Sequence, residues 1–152
     1  MLDALSLSIE RFRTLTTIKL PNCHINAFGI SQIGQMLKGV GCVRDLNLDM
    51  NPNIQENYYL LCSPSGNLRY LSLKYCNIGD TGIGKIADEL KYRNDQSPKL
   101  LALNVANNRF GDEGARKIGQ MLHTNRSLQS LVLTGNRITD LGAEFVIQEL
   151  CM

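Results

Sequence analysis

Long apolar runs are missing from this chain. Its hydrophobic residues, 43% of the 152, are interrupted by polar ones every few positions, so no stretch approaches the roughly 20 residues of a membrane-spanning helix. The N-terminus MLDALSLSIERFR carries Asp3 and Glu10 where a secretory signal needs an unbroken apolar segment. Together these absences lead to the expectation of a cytoplasmic protein without a membrane partner. An excess of either charge is also missing: 16 basic and 14 acidic residues leave a formal charge of +2, too even a balance to build a phosphate-neutralising surface, which argues against a nucleic-acid partner. The five cysteines are odd in number and irregular in spacing, a poor disulfide framework that fits a reducing compartment. His24 and His123 have no companions at zinc-ligand spacing, so neither metal nor cofactor is expected.

What the chain does have is an internal repeat. In Leu68–Leu90 the residues Leu68, Leu71, Leu73, Cys76 and Ile78 follow L-x-x-L-x-L-x-x-C-x-I, and Ile83, Ile86, Ala87 and Leu90 then fall at helical spacing. The unit predicts one short strand and one amphipathic helix packed back on it. Five copies begin near Leu15, Val43, Leu68, Leu100 and Leu128, in steps of 28, 25, 32 and 28 residues. Copy two aligns as Val43, Leu46, Leu48, Asn51 and Ile54, with Pro52 and Asn53 lengthening its turn. The Cys76 position is Cys23, Asn51, Asn108 and Asn136 elsewhere, which predicts an inward side chain bonding turn backbone. Glycine follows six residues later at Gly29, Gly82, Gly114 and Gly142, with Asn57 in copy two. The helices repeat Ile33, Ile86, Ile118 and Val146 at one site and Leu37, Leu90, Leu122 and Leu150 at another; Gly34, Ala87 and Gly119 recur where close approach of helix to sheet is expected, and Ile147 breaks that rule.

These residues resemble the leucine-rich repeat, and the 28-residue steps resemble its ribonuclease-inhibitor subtype. The resemblance implies an α/β solenoid of about five repeats, with a curved parallel β-sheet on the concave side and helices on the convex side, stabilised between neighbours rather than within any single copy. Residues 1–14 are expected as an N-terminal helical cap or partial repeat, with Leu5, Ile9 and Phe12 at helical spacing, and 15–152 as the repeat domain. A short second copy with room for only a brief helix and a third copy extended by the polar stretch from Tyr92 to Lys99 make the chain similar to an axoneme-associated leucine-rich-repeat-containing protein. That similarity implies a cilium-associated structural or adaptor role and supplies no catalytic residue.

Several stretches imitate chemistry. Gly79-Asp80-Thr81-Gly82-Ile83-Gly84 looks like a phosphate loop, but Gly111-Asp112-Glu113-Gly114 and Thr139-Asp140-Leu141-Gly142 repeat the turn, so the expectation is a series of helix starts whose acidic residues cap N–H groups. Asn125-Arg126-Ser127 matches a glycosylation sequon yet sits where a turn precedes the fifth strand. No nucleophile, base and acid are grouped, and the chain is expected to be non-enzymatic.

The remaining function is binding. With the leucines inward, the intervening strand residues line the concave side, and Arg44, Asp45, Asp49 and Met50 of copy two with Arg69, Tyr70, Lys74 and Tyr75 of copy three are the candidate protein-binding residues. Copies four and five offer small, uncharged side chains there. Three alternatives remain open at this level: regulation of a small GTPase in the manner of Ran GTPase-activating proteins, a fragment of an innate-immune-type sensor, and a nucleic-acid binder. The chain stops inside the fifth helix, so the expectation is continuation into a longer solenoid or end-to-end self-association.

Overall fold

The computed structural model describes residues 14–39 and 41–151, so the expected cap over 1–14 lies almost wholly outside them. Strand and helix alternate as β1 Thr17–Lys19, α1 Ala27–Gly39, β2 Asp45–Asn47, a 3₁₀ helix Asn57–Cys62, β3 Tyr70–Ser72, α2 Asp80–Leu90, β4 Ala102–Asn104, α3 Asp112–Thr124, β5 Ser130–Val132 and α4 Asp140–Cys151. The five strands form one parallel sheet in chain order. Ile18, Leu46, Leu71, Leu103 and Leu131 stand side by side in register, and all but the last are buried with the helix positions Ile33, Ile86 and Ile118 in one continuous core. Each strand is entered through a shared acceptor: the carbonyl of Arg44 takes the N–H groups of both Arg69 and Tyr70, at 2.8 and 2.9 Å, and Thr16, Arg69 and Leu101 do the same for the next repeat.

Side chains then tie each repeat to its neighbour. Asn51 accepts the N–H groups of Cys23 and Ile25 and donates to the carbonyls of Leu20 and Leu48; Asn108 repeats this with Cys76, Ile78, Leu73 and Val105. A thiol cannot accept as an amide does. Cys76 donates to the carbonyls of Leu48 and Lys74, and the role of accepting the Asn53 N–H passes to Tyr58, whose hydroxyl also donates to Asn51 O at 2.7 Å. Here the alignment of copy two fails: Ile54 is wholly exposed, Asn53 turns its amide atoms inward and the Tyr58 ring fills the core. The inserted turn residue pushes Ile54 outward, and a large aromatic from the following helix takes up the volume.

Glu56, Asp80 and Asp112 at the helix starts act across the repeats, not on their own helices. Gly79 and Gly111, which precede α2 and α3, supply no side-chain cap. Instead Glu56 accepts Gly79 N–H, Asp80 accepts Gly111 and Gly114 N–H at 2.9 and 2.8 Å, and Asp112 accepts Thr139 N–H, Thr139 hydroxyl and Gly142 N–H. The recurrent glycine has its reason here, because a Cβ on Gly82 would stand 2.9 Å from Glu56 Cβ and one on Gly114 2.9 Å from Asp80 Oδ1. In copy two the direction reverses, and Asn57 donates to Ala27 O.

Gly34 and Gly119 face the adjacent repeat's helix, where a Cβ would come within 3.0 Å of the Leu60 or Phe145 carbonyl. The close approach is therefore between helices of neighbouring repeats and not between helix and sheet. Ile147 occupies this position on the outer side of α4 and is 58% exposed. Leu150 is exposed as well, unlike its counterparts Leu37 and Leu90, because no further helix packs against α4 among the described residues.

Tyr58→Phe should cost about 1–3 kcal/mol in urea unfolding, since it leaves Asn51 O and Asn53 N–H without their partner, whereas Ile54→Ser should change nothing measurable. Asp80→Ala should cost about 1 kcal/mol and Asp140→Ala less than about 0.5, because Asp140 accepts no hydrogen bond among the described residues. Asp112 adds a pH signature. The Thr139 hydroxyl and amide hold its carboxyl below the usual range, so its stabilisation is present above the unfolded-state value and is lost as pH falls through the lowered folded one. An Asp112→Asn variant should show a shallower loss of stability in acid.

Candidate partner-binding face

Alternation along the strands aims Thr17 and Lys19, Asp45 and Asn47, Tyr70 and Ser72, Ala102 and Asn104, and Ser130 and Val132 away from the core. Tyr70 lies in register with Ala102, and Ala102 with Ser130. A large ring beside two small side chains leaves a step in the face, and a shallow depression of about 210 Å³ opens there, walled by Asp45 and Tyr70 and floored by Ala102, Asn104, Ser130 and Val132. Small residues in copies four and five are thus what makes room beside the tyrosine. Their signal in the sequence is a run of small side chains at one repeat position.

The eight sequence-predicted residues separate into four groups. Asp45 and Tyr70 form a wall of the depression. Asp49 does not stand open: it is 6% exposed, accepts Ser72 hydroxyl at 2.6 Å and Lys74 N–H at 2.8 Å, and lies 3.6 Å from the Lys74 ammonium. Strand alternation does point it outward, but the neighbouring repeat supplies donors that turn it into a tie between repeats two and three. Lys74, its partner, is fixed beside it. Arg44 and Arg69 precede their strands and lie at the sheet's entry edge, where each guanidinium donates to the carbonyl of Asn67.

Met50 and Tyr75 belong to the turn that leaves each strand. The same position is occupied by Asn22, Met50, Tyr75, Asn107 and Gly135, all with left-handed backbone and φ between 51° and 73°. Asparagine and glycine tolerate that conformation; methionine and tyrosine resist it, at about 1–2 kcal/mol per residue. Both side chains are nevertheless out in solvent, 45% and 57% exposed, so no core packing offsets the strain.

Asn125 of the apparent sequon is buried. Its amide donates to Leu90 O at 2.6 Å and accepts Ser127 and Leu128 N–H, as the turn reading expects. Among the described residues, no helix is long and apolar enough to cross a membrane, and no three His, Cys, Asp or Glu side chains are grouped for a metal.

The comparisons with known proteins agree with this architecture. A family model described as Leucine Rich repeat matches residues 66–87, 96–119 and 124–146. The chain is 30% identical over 109 residues to a ribonuclease inhibitor of Sus scrofa, covering 69% of this chain and 23% of that protein. It is 28% identical over 141 residues to a NACHT, LRR and PYD domains-containing protein 14 of Homo sapiens, covering 90% of this chain and 12% of that one. The chain therefore spans less than a quarter of either relative. Leiomodin-1 Actin-Binding Site 2 matches as a fold, with a TM-score of 0.55 and 14% identity over 96% of this chain and 70% of that one.

All five cysteines are unpaired. Burial pushes the Cys62 thiol up to about 12 and the Cys76 thiol up to about 11, so at neutral pH both stay protonated and poorly nucleophilic. Brief alkylation of the native protein should leave these two unmodified and label the exposed Cys151, and alkylation in denaturant without reductant should add five labels by mass. Three or fewer in fresh protein would reveal a bridge the structure lacks.

Proposed function

We propose that this chain, which is a leucine-rich-repeat protein of the ribonuclease-inhibitor subtype, is a non-enzymatic adaptor holding a protein partner against the concave side of its second and third repeats. The observation that carries the reading is the left-handed turn position. Three of the five repeats place there a residue that tolerates the backbone, and the two that do not are adjacent and present exposed Met50 and Tyr75. Strain retained under side chains that stand about half in solvent points to an external contact. Tyr70 continues the same side of repeat three, and the depression beside it accepts an apolar or small polar side chain of the partner. Large rigid side chains of this kind dominate interfaces because they add contact area at low entropic cost. A cilium-associated location is part of the proposal and rests on the sequence resemblance alone. The match along 90% of this chain to a protein named for NACHT and PYD domains supports a second reading, in which these repeats are one part of a longer multidomain protein. In either setting, the open side of repeat five, with Leu141, Ile147 and Leu150 exposed, is proposed to meet another repeat or a second copy.

Immobilised protein should capture a partner from ciliated-cell extract, identified by mass spectrometry, and Tyr70→Ala and Tyr75→Ala should each weaken the purified complex by at least about tenfold. Tyr75→Asn separates binding from folding: it should match or raise the melting temperature, since asparagine suits the backbone, and still lose the partner. Undiminished binding by both alanine variants would overturn the concave reading.

A further inference from the structure

We infer that the entry edge of the sheet at repeats two to four docks the carboxylates of an acidic protein segment. The inference rests on the concave side being a protein-binding face and names the chemistry of the partner where it crosses onto that face. Three cations, Arg44 of repeat two, Arg69 of repeat three and Lys99 at the end of repeat three, converge on one residue, Asn67. Arg44 Nη1 donates to Asn67 O at 3.4 Å and to Gly41 O; Arg69 Nη1 donates to Asn67 O at 3.1 Å and to Leu68 O at 3.4 Å; Lys99 Nζ donates to Asn67 Oδ1 at 3.4 Å. No carboxylate lies within ion-pair distance of these three among the described residues, although Lys74, Lys91, Arg109 and Arg116 all have one.

The way the two arginines are held indicates what they can take. Among the described residues each bonds the protein only through Nη1, which leaves the Nε–Nη2 edge, the fork whose spacing matches the two oxygens of a carboxylate. The molecule contains the filled version of this fork: Arg116 grips Glu113 with Nε at 3.0 Å and Nη2 at 2.6 Å. Anchoring by Nη1 to backbone carbonyls also orients both guanidiniums in advance, which reduces the ordering cost of binding. They occupy equivalent positions directly before neighbouring strands, which lie about 4.8 Å apart at the backbone, so a short stretch with closely spaced acids can engage both. Arg69 is followed directly by Tyr70, and a segment laid over the arginines runs on to the depression. A nucleic acid fits less well, because its phosphates need a longer cationic track and Asp45 stands directly after Arg44 in the chain.

Fluorescence polarisation with a fluorescein-labelled Glu-Gly peptide at low salt, beside Lys-Gly and phosphoserine-Gly peptides and single-stranded RNA, tests this. The Glu peptide should bind and the Lys peptide should not. Arg44→Ala with Arg69→Ala should lower that affinity about tenfold or more, the double Arg→Lys variant should fail to restore it because the fork is lost, and Arg126→Ala should leave it unchanged. Equal binding of Glu and Lys peptides, full affinity in the double alanine variant at unchanged melting temperature, or binding of RNA or phosphopeptide alone would overturn the inference. Applied to the captured partner, the variants also separate the two proposals: loss with Tyr70→Ala and Tyr75→Ala but not with the arginine variants sinks the acidic dock and leaves the concave reading standing, and loss with neither set sinks both.

Discussion

The structure depends on one constraint: a repeat with a three-residue strand and a short helix cannot satisfy its own polar backbone, and the adjacent repeat must do it. Carboxylates of Glu56, Asp80 and Asp112 reach forward to the turn amides of the following repeat, and amides of Asn51 and Asn108 reach back to the turn of the preceding one. The two sets run in opposite directions along the array, so each inner repeat is held from both sides. Buried N–H and C=O groups are costly to leave unpaired, and that cost makes stacking obligatory in a way apolar contact alone does not. Invariant-looking glycines in the helix starts follow from the same requirement, since the carboxylate needs the volume a Cβ would fill.

Because stacking commits the helix starts, the turn amides and the inward leucines, the concave strand residues and the two edges of the sheet are left to vary. The chain uses that latitude unevenly. Repeats four and five keep small, neutral side chains, while repeats two and three carry tyrosines, arginines and a methionine, some against backbone preference. An ordered scaffold with one strained and decorated sector is the arrangement by which solenoids display a binding surface.

Most of the architecture was legible in the sequence, because leucine positions recurring at repeat length report directly on a buried face and its partner strand. Ile54 misled for a definite reason: in a lengthened turn, residue spacing no longer determines which side chain faces inward, and Tyr58 won the core by volume and by its hydroxyl. Asp49 misled because alternation gives a direction but not the donors that a neighbouring repeat brings to it. Gly34 and Gly119 were recognised as sites of close approach with the wrong neighbour, since a single repeat read by itself has a sheet but no adjacent helix. On the binding side, the exposed tyrosines were legible, whereas the left-handed backbone under Tyr75 and the Nη1 anchoring of Arg44 and Arg69 depend on distances between repeats that the order of residues does not express.

Ile147 has a mechanical consequence. Where Gly34 and Gly119 let neighbouring helices approach backbone to backbone, a branched side chain on α4 holds any layer laid against it farther out, while the rim of β5 keeps ordinary strand spacing. Material added beyond repeat five would therefore be spread on its outer side and pinched on its inner side, and the arc would tighten there. The residue at this one helix position limits how closely the next layer can come, and along Gly34, Ala87, Gly119 and Ile147 it is largest at the last.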